Sequence, residues 1–330
     1  MISNALSFVL PVTLKENPSK LKWRTRTDQY ARLRFNLLIK SFLHHFDLDG
    51  LEKFLIICPQ DHIADFCNLL RNITDDNRFE IINENEICPQ LSENNYPIAG
   101  WYIQQILKLA AAKYMKTNFY LTLDSDIICK KHFNYSTLML SGKAFMNIET
   151  PLDYDDLYLK SFSTREQKIK NSRLIRSSTL LNYKRKSLYK FQSYGETPAF
   201  LHTQSVLGLL NELSSLHQDW FTVLSRFKGW SEYSLYFQYL EKHNLINKLY
   251  INTGRSTVLD LDSSVWYPSA TYRKKVSFTP DYILKQENSH GYFVAIQSYL
   301  DPQDWLPENV TDMGTFYKML EETLLQIDTP

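Results

Sequence analysis

The sequence predicts an α/β fold in which a mostly parallel central sheet has helices on both sides. Short apolar runs alternate with segments of helical spacing through the first part of the chain. The strongest helical pattern stands directly before an apolar run that ends in acidic residues. No internal repeat or low-complexity linker is visible, so we expect a single domain over 1–330 with a basic insertion at about 155–195.

The first elements alternate between strand and helix patterns. Apolar runs at 5–12, 53–58 and 79–82 are typical of buried strands, and Pro11 and Pro59 stop the first two. Between the runs, 30–46 and 61–70 carry apolar residues at helical spacing. Such a βαβαβ order indicates parallel strands covered by helices. Further helices are expected from Glu232 onwards and at 316–325.

The clearest helix begins near Gly100, and a strand at 118–123 follows it. That strand leads directly into Asp124 and Asp126. Ligands of open α/β sheets bind beyond the carboxyl ends of the strands, so a functional site is expected there. The apolar residues of the helix fall at steps of three and four and form one stripe: Ile103, Ile106, Leu107, Ala110, Ala111 and Tyr114.

The two carboxylates of Asp124 and Asp126 suit a hard divalent cation such as Mn²⁺ or Mg²⁺, which prefers oxygen ligands. Such a cation usually shares its coordination with substrate phosphates and neutralises the charge of a leaving diphosphate. The alternative is a capped turn, in which the carboxylates only accept hydrogen bonds from nearby backbone amides.

Composition excludes some classes of protein. The 37 basic and 36 acidic residues nearly cancel, which argues against a nucleic-acid partner. The four cysteines form no C-x-x-C pair and favour a reducing compartment. Neither a signal peptide nor a run of about 20 apolar residues is present. We therefore expect a soluble, cytoplasmic protein.

A basic stretch at 160–190 interrupts the globular pattern. It contains six Lys, four Arg and a single acidic residue, Glu166, so its local charge is 10 − 1 = +9. A solvated excursion is one interpretation of this stretch. The other is a surface for an anionic acceptor or an anionic membrane, which would place the protein peripherally at the inner membrane surface.

The segment Leu121-Thr-Leu-Asp-Ser-Asp-Ile127 resembles the D-x-D strand of GT-A glycosyltransferases. Just before it, Gly100-Trp-Tyr-Ile-Gln-Gln-Ile-Leu-Lys-Leu109 resembles the G-W-x-x-Q-Q helix of a largely uncharacterised bacterial group of these enzymes. The segments at 9–13, 196–200, 230–233 and 290–293 follow in the order of that group's other motifs. The resemblance implies a GT-A, Rossmann-like fold for most of the chain.

The resemblance also implies a donor site built from two segments. The loop after the first strand would face the nucleotide base, and polar residues of the helix would reach the diphosphate and the donor sugar. A solvent-facing polar side is the alternative for the helix residues. The donor-site residues are Pro11, Val12 and Thr13 in the loop, and Gln104, Gln105 and Lys108 in the helix, with Lys108 assigned to the diphosphate.

Metal and catalytic residues are implied in the same way. Asp124 would touch the ribose or donor sugar, Asp126 would be the firmer metal ligand, and His290 would complete the metal site. Glu232 would be the catalytic base of an inverting reaction, with Glu196 as the second candidate. The alternatives are a surface role for His290 and a helix-dipole role for Glu232.

The predicted reaction is sugar transfer from a nucleotide sugar, with UDP-sugars favoured, to a hydroxyl of a glycan or glycolipid acceptor. Bacterial surface polysaccharide or lipopolysaccharide synthesis is the expected setting, by analogy alone. A HAD-like phosphohydrolase is one alternative, although such enzymes place Thr or Val where this chain has Ile128. A non-catalytic, glycan-binding relic of the fold is the other.

Overall fold

The structure, a computed structural model, describes residues 4–14, 30–93, 97–149, 160–184, 193–195, 197–254, 256–266, 277–285 and 290–327. Its strands are β1 (Leu6–Pro11), β2 (Leu51–Cys58), β3 (Phe79–Asn83), β4 (Phe119–Thr122), β5 (Ile127–Cys129), β6 (Met139–Leu140), β7 (Lys143–Phe145), β8 (Ile148–Glu149), β9 (Ser193–Tyr194), β10 (Ala199–His202), β11 (Tyr250–Ile251) and β12 (Phe293–Ala295).

The helices lie between these strands and after them. They are α1 (Ala31–His45), α2 (Ile63–Arg71), α3 (Glu84–Ile87), α4 (Gln90–Glu93), α5 (Gly100–Ala110), α6 (Tyr135–Leu138), α7 (Lys160–Leu180), α8 (Thr203–His217), α9 (Trp220–Arg226), α10 (Glu232–Lys242), α11 (Ile246–Leu249), α12 (Pro280–Leu284) and α13 (Met313–Leu325). The predicted helix at 100–114 divides into α5 and a 3₁₀ turn, Ala111–Tyr114.

The central sheet has the strand order β10-β4-β1-β2-β3. Strands β1 to β4 are parallel, and β10 runs antiparallel to β4 at the edge. Every residue of β1 is buried, as expected of a central strand whose two faces are both covered by helices. The ring of Phe8 lies 4.7 Å from that of Phe42 in α1 and 5.7 Å from that of Phe54 in β2. The predicted α/β class with a mostly parallel sheet is confirmed.

The strand order reverses between β1 and β4. From β1 the chain passes through α1 to β2 on one side, whereas β4 is reached through α5 on the other side. A parallel sheet opens a crevice at such a switch point, outside the carboxyl ends of the two strands. This crevice is where Pro11 ends β1 and where the acidic turn follows β4.

A second layer is formed by the antiparallel pair β5 and β12, in which Ala295 lies opposite Ile127. Its apolar face packs with α1, α12 and α13 around a second hydrophobic cluster that includes Phe278 and Phe316. The neighbouring segment at 257–266 is tied to the residue after β5 by a buried ion pair between Lys130 and Asp260, with the charged atoms 2.7 Å apart.

Gly291, just before β12, is predicted to tolerate no side chain. Its φ of 130° is a conformation that other residues rarely adopt, and an added Cβ would lie 2.5 Å from the backbone N of Asp260. Gly291→Ala should therefore cost about 3 kcal/mol of unfolding free energy, from strain and overpacking together. The control is Gly254→Ala, where φ is 77° but no atom lies within 4 Å, so about 1 kcal/mol is expected. Equal losses in urea denaturation would contradict the steric argument.

Candidate active site

The acidic turn after β4 places two carboxylates at the carboxyl edge of the sheet. Leu123 N donates to Val9 O at 2.9 Å, which keeps the chain beside β1 as it leaves β4. Ile127 N then donates to Asp124 O at 3.2 Å, and β5 begins. Asp124 and Asp126 are both half-buried, so their carboxylates stand at the rim of the core. The predicted position of the acidic pair, at the end of a buried strand, is confirmed.

The Asp126 carboxylate is held by the segment that follows β12. Its Oδ2 accepts from Ser298 N at 3.2 Å, and its backbone O accepts from Ile296 N at 2.9 Å. Burial and the neighbouring Asp124 raise the pKa of Asp126 to about 6, while Arg34 in α1 opposes the shift. A divalent cation beside Asp126 would favour the charged form of this carboxylate, which burial and Asp124 disfavour.

Lys108, in the last turn of α5, joins two carboxylates from distant parts of the chain. Its Nζ lies 2.7 Å from Asp124 Oδ1 and donates to Glu232 Oε1 at 3.0 Å. It also donates to the hydroxyl of Tyr233 at 3.2 Å. Burial alone would lower the pKa of Lys108, but Asp124, Tyr233 and Glu232 outweigh it and hold that pKa well above its usual value. The ammonium is therefore charged and compensates charge at both carboxylates.

The first turn of α10 presents Glu232 to this cluster. Ser231 caps the helix, since its hydroxyl accepts from Ser234 N at 3.2 Å. Glu232 N donates to Gln105 Oε1 at 2.9 Å, and Gln105 Nε2 donates to Trp101 O at 3.2 Å. Burial raises the pKa of the Glu232 carboxyl, with Lys108 opposing the shift. Helices α5 and α10 are thus fixed to each other at the site.

Tyr233 extends the cluster to the sheet and is a site residue that the sequence motifs did not predict. Its hydroxyl lies 2.9 Å from Thr122 Oγ1, which in turn donates to Ala199 O at 2.9 Å across the edge of the sheet. The only feature of the sequence that could have pointed to Tyr233 is its position next to Glu232. Nothing in the sequence distinguishes Thr122 from the other residues of its strand.

A small cleft of about 60 Å³, partly open to solvent, lies over these residues. Helices α5, α7 and α10 contribute to its walls, together with Asp124 of the acidic turn. Its lining is Trp101, Gln104, Gln105, Lys108, Asp124, Arg173, Thr197, Ser231, Glu232 and Tyr233.

The two glutamines of α5 differ in what they can offer a ligand. Gln105 is buried, and both ends of its amide are engaged by Glu232 and Trp101. Gln104 is half-buried and lines the cleft. Of the two predicted donor-sugar contacts, Gln104 is therefore the one that the geometry favours, and Gln105 positions Glu232.

The loop after β1 lies at the same edge of the sheet. Pro11 and Val12 are buried, and Val12 N donates to Ile57 O at 2.8 Å, which continues the pairing with β2. Thr13 is half-buried, with its hydroxyl 3.4 Å from Nδ1 of His62 at the start of α2. The position agrees with a nucleotide-facing loop, and the contact to the base stays a prediction.

His290 does not lie with the acidic pair, contrary to the sequence-based expectation. The ladder of β5 and β12 places Ile296 beside Asp126 and Tyr292 beside Lys130, four residues further along. At ~3.3 Å per residue that is about 13 Å, and His290 lies beyond it at an exposed position. Within the described ranges, no group of three His, Cys, Asp or Glu residues is arranged to hold a metal. The register of β5 against β12 is the physical reason why His290 lies away from Asp126.

Glu196, the second candidate base, lies outside the described residues. Glu232 is thus the candidate base whose surroundings are known. Of its described neighbours, Thr197 lines the cleft, and Gly195 N donates to Asn147 O at 2.9 Å.

The described part of the basic stretch, 160–184, contains helix α7, which packs against α10. Leu174 and Leu180 are buried, and Leu174 O accepts from Gln238 Nε2 at 2.6 Å. Leu181 O, just after the helix, accepts from Lys242 Nζ at 2.8 Å. One face of α7 is therefore buried against α10 while the other is exposed to solvent, and a function of the basic stretch stays a prediction.

Comparisons with known proteins agree with this architecture. The model of the family of unknown function DUF6492 matches residues 3–321, so the chain belongs to that family. No curated protein matches the sequence. In the portion of the chain that the structure covers, none of the helices is both long and apolar enough to cross a bilayer.

Three solved structures are similar to this one. Mouse xyloside xylosyltransferase 1, in its apo form, has 12% identity and a TM-score of 0.47, covering 89% of this chain and 98% of its own. Galactosyltransferase LgtC, in complex with donor and acceptor sugar analogues, has 10% identity and a TM-score of 0.48, covering 98% and 97%. The apo form of WbbM, a bifunctional glycosyltransferase, has 11% identity and a TM-score of 0.52, covering all of this chain and 50% of its own.

The chain spans half the length of WbbM. The similarity to WbbM shows that the fold is of the GT-A glycosyltransferase type. This fold does not favour the HAD-like alternative.

Proposed function

We propose that this member of the DUF6492 family transfers a sugar from a nucleotide-sugar donor to a hydroxyl of a glycan or glycolipid acceptor. One observation carries the proposal. Carboxylates from the β4 turn and from α10 meet through Lys108 at the switch point of a GT-A fold, beside a second turn carboxylate, Asp126. We further propose one GT-A domain over 1–330 and, by analogy alone, a role in bacterial surface polysaccharide or lipopolysaccharide synthesis.

The residues of the acidic turn fit a divalent cation, Mn²⁺ or Mg²⁺. Such an ion needs only one or two protein carboxylates when substrate phosphates and water complete its shell. Asp126 would be the main ligand and Asp124 the second, through the oxygen that does not face Lys108. When bound, the cation would neutralise the charge that develops on the leaving diphosphate.

The donor would lie along the switch-point crevice. We place the nucleotide base against the loop at Pro11, Val12 and Thr13, and the transferred sugar near Gln104. A UDP-sugar is the favoured donor. Lys108 would compensate the negative charge of Asp124 and Glu232, which is a more specific task than the predicted contact to the diphosphate.

In the proposed inverting reaction, the acceptor hydroxyl gives its proton to Glu232 as its oxygen bonds to the anomeric carbon. The bond from that carbon to the diphosphate breaks at the same time, and the nucleoside diphosphate leaves with the bonding electrons. Burial suits Glu232 to this task, because a carboxylate whose pKa is raised is the stronger base.

A thermal-shift screen tests the function directly. The full chain would be heated with UDP, GDP or CMP, each with Mn²⁺ and with a chelator. A ligand present at a hundred times its dissociation constant stabilises the native state by about 2.7 kcal/mol. We expect a Mn²⁺-dependent shift with one nucleotide, UDP first. The absence of a shift with all three would refute the proposal.

Binding of Mn²⁺ should weaken as the pH falls. The cation binds ionised Asp126, whose pKa is about 6, so protons compete for the site below that pH. Going from pH 7 to pH 5 lowers the ionised fraction, and hence the affinity for Mn²⁺, about tenfold. Water-proton relaxation of Mn²⁺ without nucleotide measures this. A midpoint near pH 4 would show that Asp126 titrates normally and would contradict the expectation.

A further inference from the structure

The loop that follows β1 contacts a side chain from the segment between β2 and α2. The backbone pairing of β1 with β2 ends at Val12, whose N donates to Ile57 O at 2.8 Å. Two residues later, Leu14 N donates to Nδ1 of His62 at 3.2 Å. The hydroxyl of Thr13 lies 3.4 Å from the same nitrogen. An imidazole therefore continues, on this loop, the hydrogen bonding that the strand provides before it.

The imidazole of His62 is itself fixed in place. The residue is only 5% exposed, and its N donates to Pro59 O at 2.9 Å. Its ring packs on that of Phe66, one helical turn further along, with the ring centroids 6.5 Å apart. Phe66 in turn lies 5.0 Å, between ring centroids, from Phe35 of α1. The imidazole is thus anchored in the core and presents Nδ1 to the loop.

The direction of the backbone hydrogen bond determines the protonation state of the ring. A backbone N–H can only donate, so Nδ1 of His62 must keep its lone pair in order to accept from Leu14 N. In the neutral imidazole the proton is then on Nε2. Nε2 lies 3.9 Å from Oδ1 of Asp61, too far for a hydrogen bond. Since the Asp61 side chain is 53% exposed, it offers a charged imidazolium little compensation for the lost acceptor.

We propose that His62 is a positioning residue of the donor site, and that its neutral form with the proton on Nε2 holds the loop at 11–14 in place for the nucleotide. This inference rests on the proposed function, in which the loop faces the base. The first half of the loop is held by its pairing with β2, and the second half contacts the imidazole. A loop that is already in its bound position loses less conformational freedom on binding, so His62 raises the affinity for the nucleotide.

The protonation state is tested by ¹⁵N NMR of the full chain labelled on histidine. Protonated and unprotonated ring nitrogens differ widely in ¹⁵N chemical shift, so the spectrum identifies the tautomer directly. The signals of His62 are those that are missing from the spectrum of His62→Asn. At pH 7 we expect Nδ1 of His62 to be unprotonated and Nε2 to be protonated. A proton on Nδ1 would overturn the assignment.

Nucleotide binding tests the positioning role. The probe is UDP with Mn²⁺, or GDP or CMP if the thermal-shift screen selects that nucleotide. His62→Leu keeps apolar bulk but cannot accept from Leu14 N, so we expect the nucleotide to bind about tenfold more weakly. His62→Asn is the matched control, because its Oδ1 can replace Nδ1 as acceptor, and a change below about twofold is expected. Mn²⁺ without nucleotide should bind all three chains equally, because that binding depends on the acidic turn.

Three results would overturn the role of His62. Equal nucleotide affinity of His62→Leu and the unmodified chain would remove the positioning role. An equally large loss in His62→Asn would show that the acceptor atom is not what matters. A parallel loss of Mn²⁺ binding in His62→Leu would assign His62 to the stability of the whole fold. If the unmodified chain binds none of the three nucleotides, the proposed function itself fails, so the two failures are distinguished.

Discussion

Asp126→Asn should lower the rate of sugar transfer about a thousandfold, equivalent to ~4 kcal/mol of transition-state stabilisation. The substitution keeps the shape of the side chain and an oxygen that can accept from Ser298 N, but it removes the charge that would bind the cation. Transfer would be measured with the nucleotide sugar whose nucleotide gives the thermal shift. Mn²⁺-dependent nucleotide binding should be lost in parallel.

The fold should survive this change. Asp126 resists ionisation because burial and the charge of Asp124 both raise its pKa. A neutral amide removes that repulsion, so without metal at pH 7 the variant should melt no lower than the unmodified protein. A large fall in melting temperature would mean that lost activity reflects unfolding.

Ser125→Ala is the matched control, because it changes the residue between the two carboxylates and leaves both charges in place. We expect its activity to stay within a few fold of the unmodified protein. If Asp126→Asn retained Mn²⁺-dependent nucleotide binding, the acidic turn would not be the metal site.

Lys130→Met should be the most destabilising of the substitutions considered, by about 3–5 kcal/mol. The side chains of Lys130 and Asp260 are 0% and 1% exposed, and their charged atoms lie 2.7 Å apart. Lys130 Nζ also donates to Ser263 Oγ at 3.1 Å. Removing the ammonium leaves a carboxylate buried without its counter-charge, which is the costly half of the change.

Urea denaturation would measure this loss, with Lys285→Met as control. Lys285 pairs with Asp281 at 2.8 Å, but the two side chains are 40% and 67% exposed, so the loss should be below about 1 kcal/mol. The double variant Lys130→Met with Asp260→Leu should recover part of the stability, because neither charge remains. A loss below 1 kcal/mol in Lys130→Met alone would show that the pair is not strongly coupled.

Local patterns in the sequence were sufficient to predict the frame of the molecule. The strand at 118–123 and the helix before it could be predicted because burial repeats at a fixed period within each element. Asp124 and Asp126 follow directly from the end of that strand. The helix that begins at Glu232 was visible for the same reason.

Contacts between distant segments could not be predicted in this way. Lys108 and Glu232 are 124 residues apart, and only the packing of α5 against α10 brings their charged atoms to 3.0 Å. His290 was assigned to the metal from the order of motifs, but the register of β5 and β12 places it away from Asp126. Order along the chain does not determine strand register.

The basic stretch shows the same division. Its charge was evident in the sequence, but that charge alone did not distinguish a solvated excursion from a functional surface. The apolar positions Leu174 and Leu180 turn one face of α7 onto α10, and this packing directs Arg173 into the cleft. The direction of the Arg173 side chain therefore depends on α10, which lies more than 50 positions later in the chain.

By itself, the sequence determined the α/β class, the order of the elements and the position of the acidic turn, because each depends on periodicity or adjacency within a short segment. The tertiary structure decided that Asp124 pairs with Lys108, that Gln105 holds Glu232 and that Arg173 faces the same cleft. These contacts join elements far apart in the chain, and their geometry is set by how the helices pack across the switch point of the sheet.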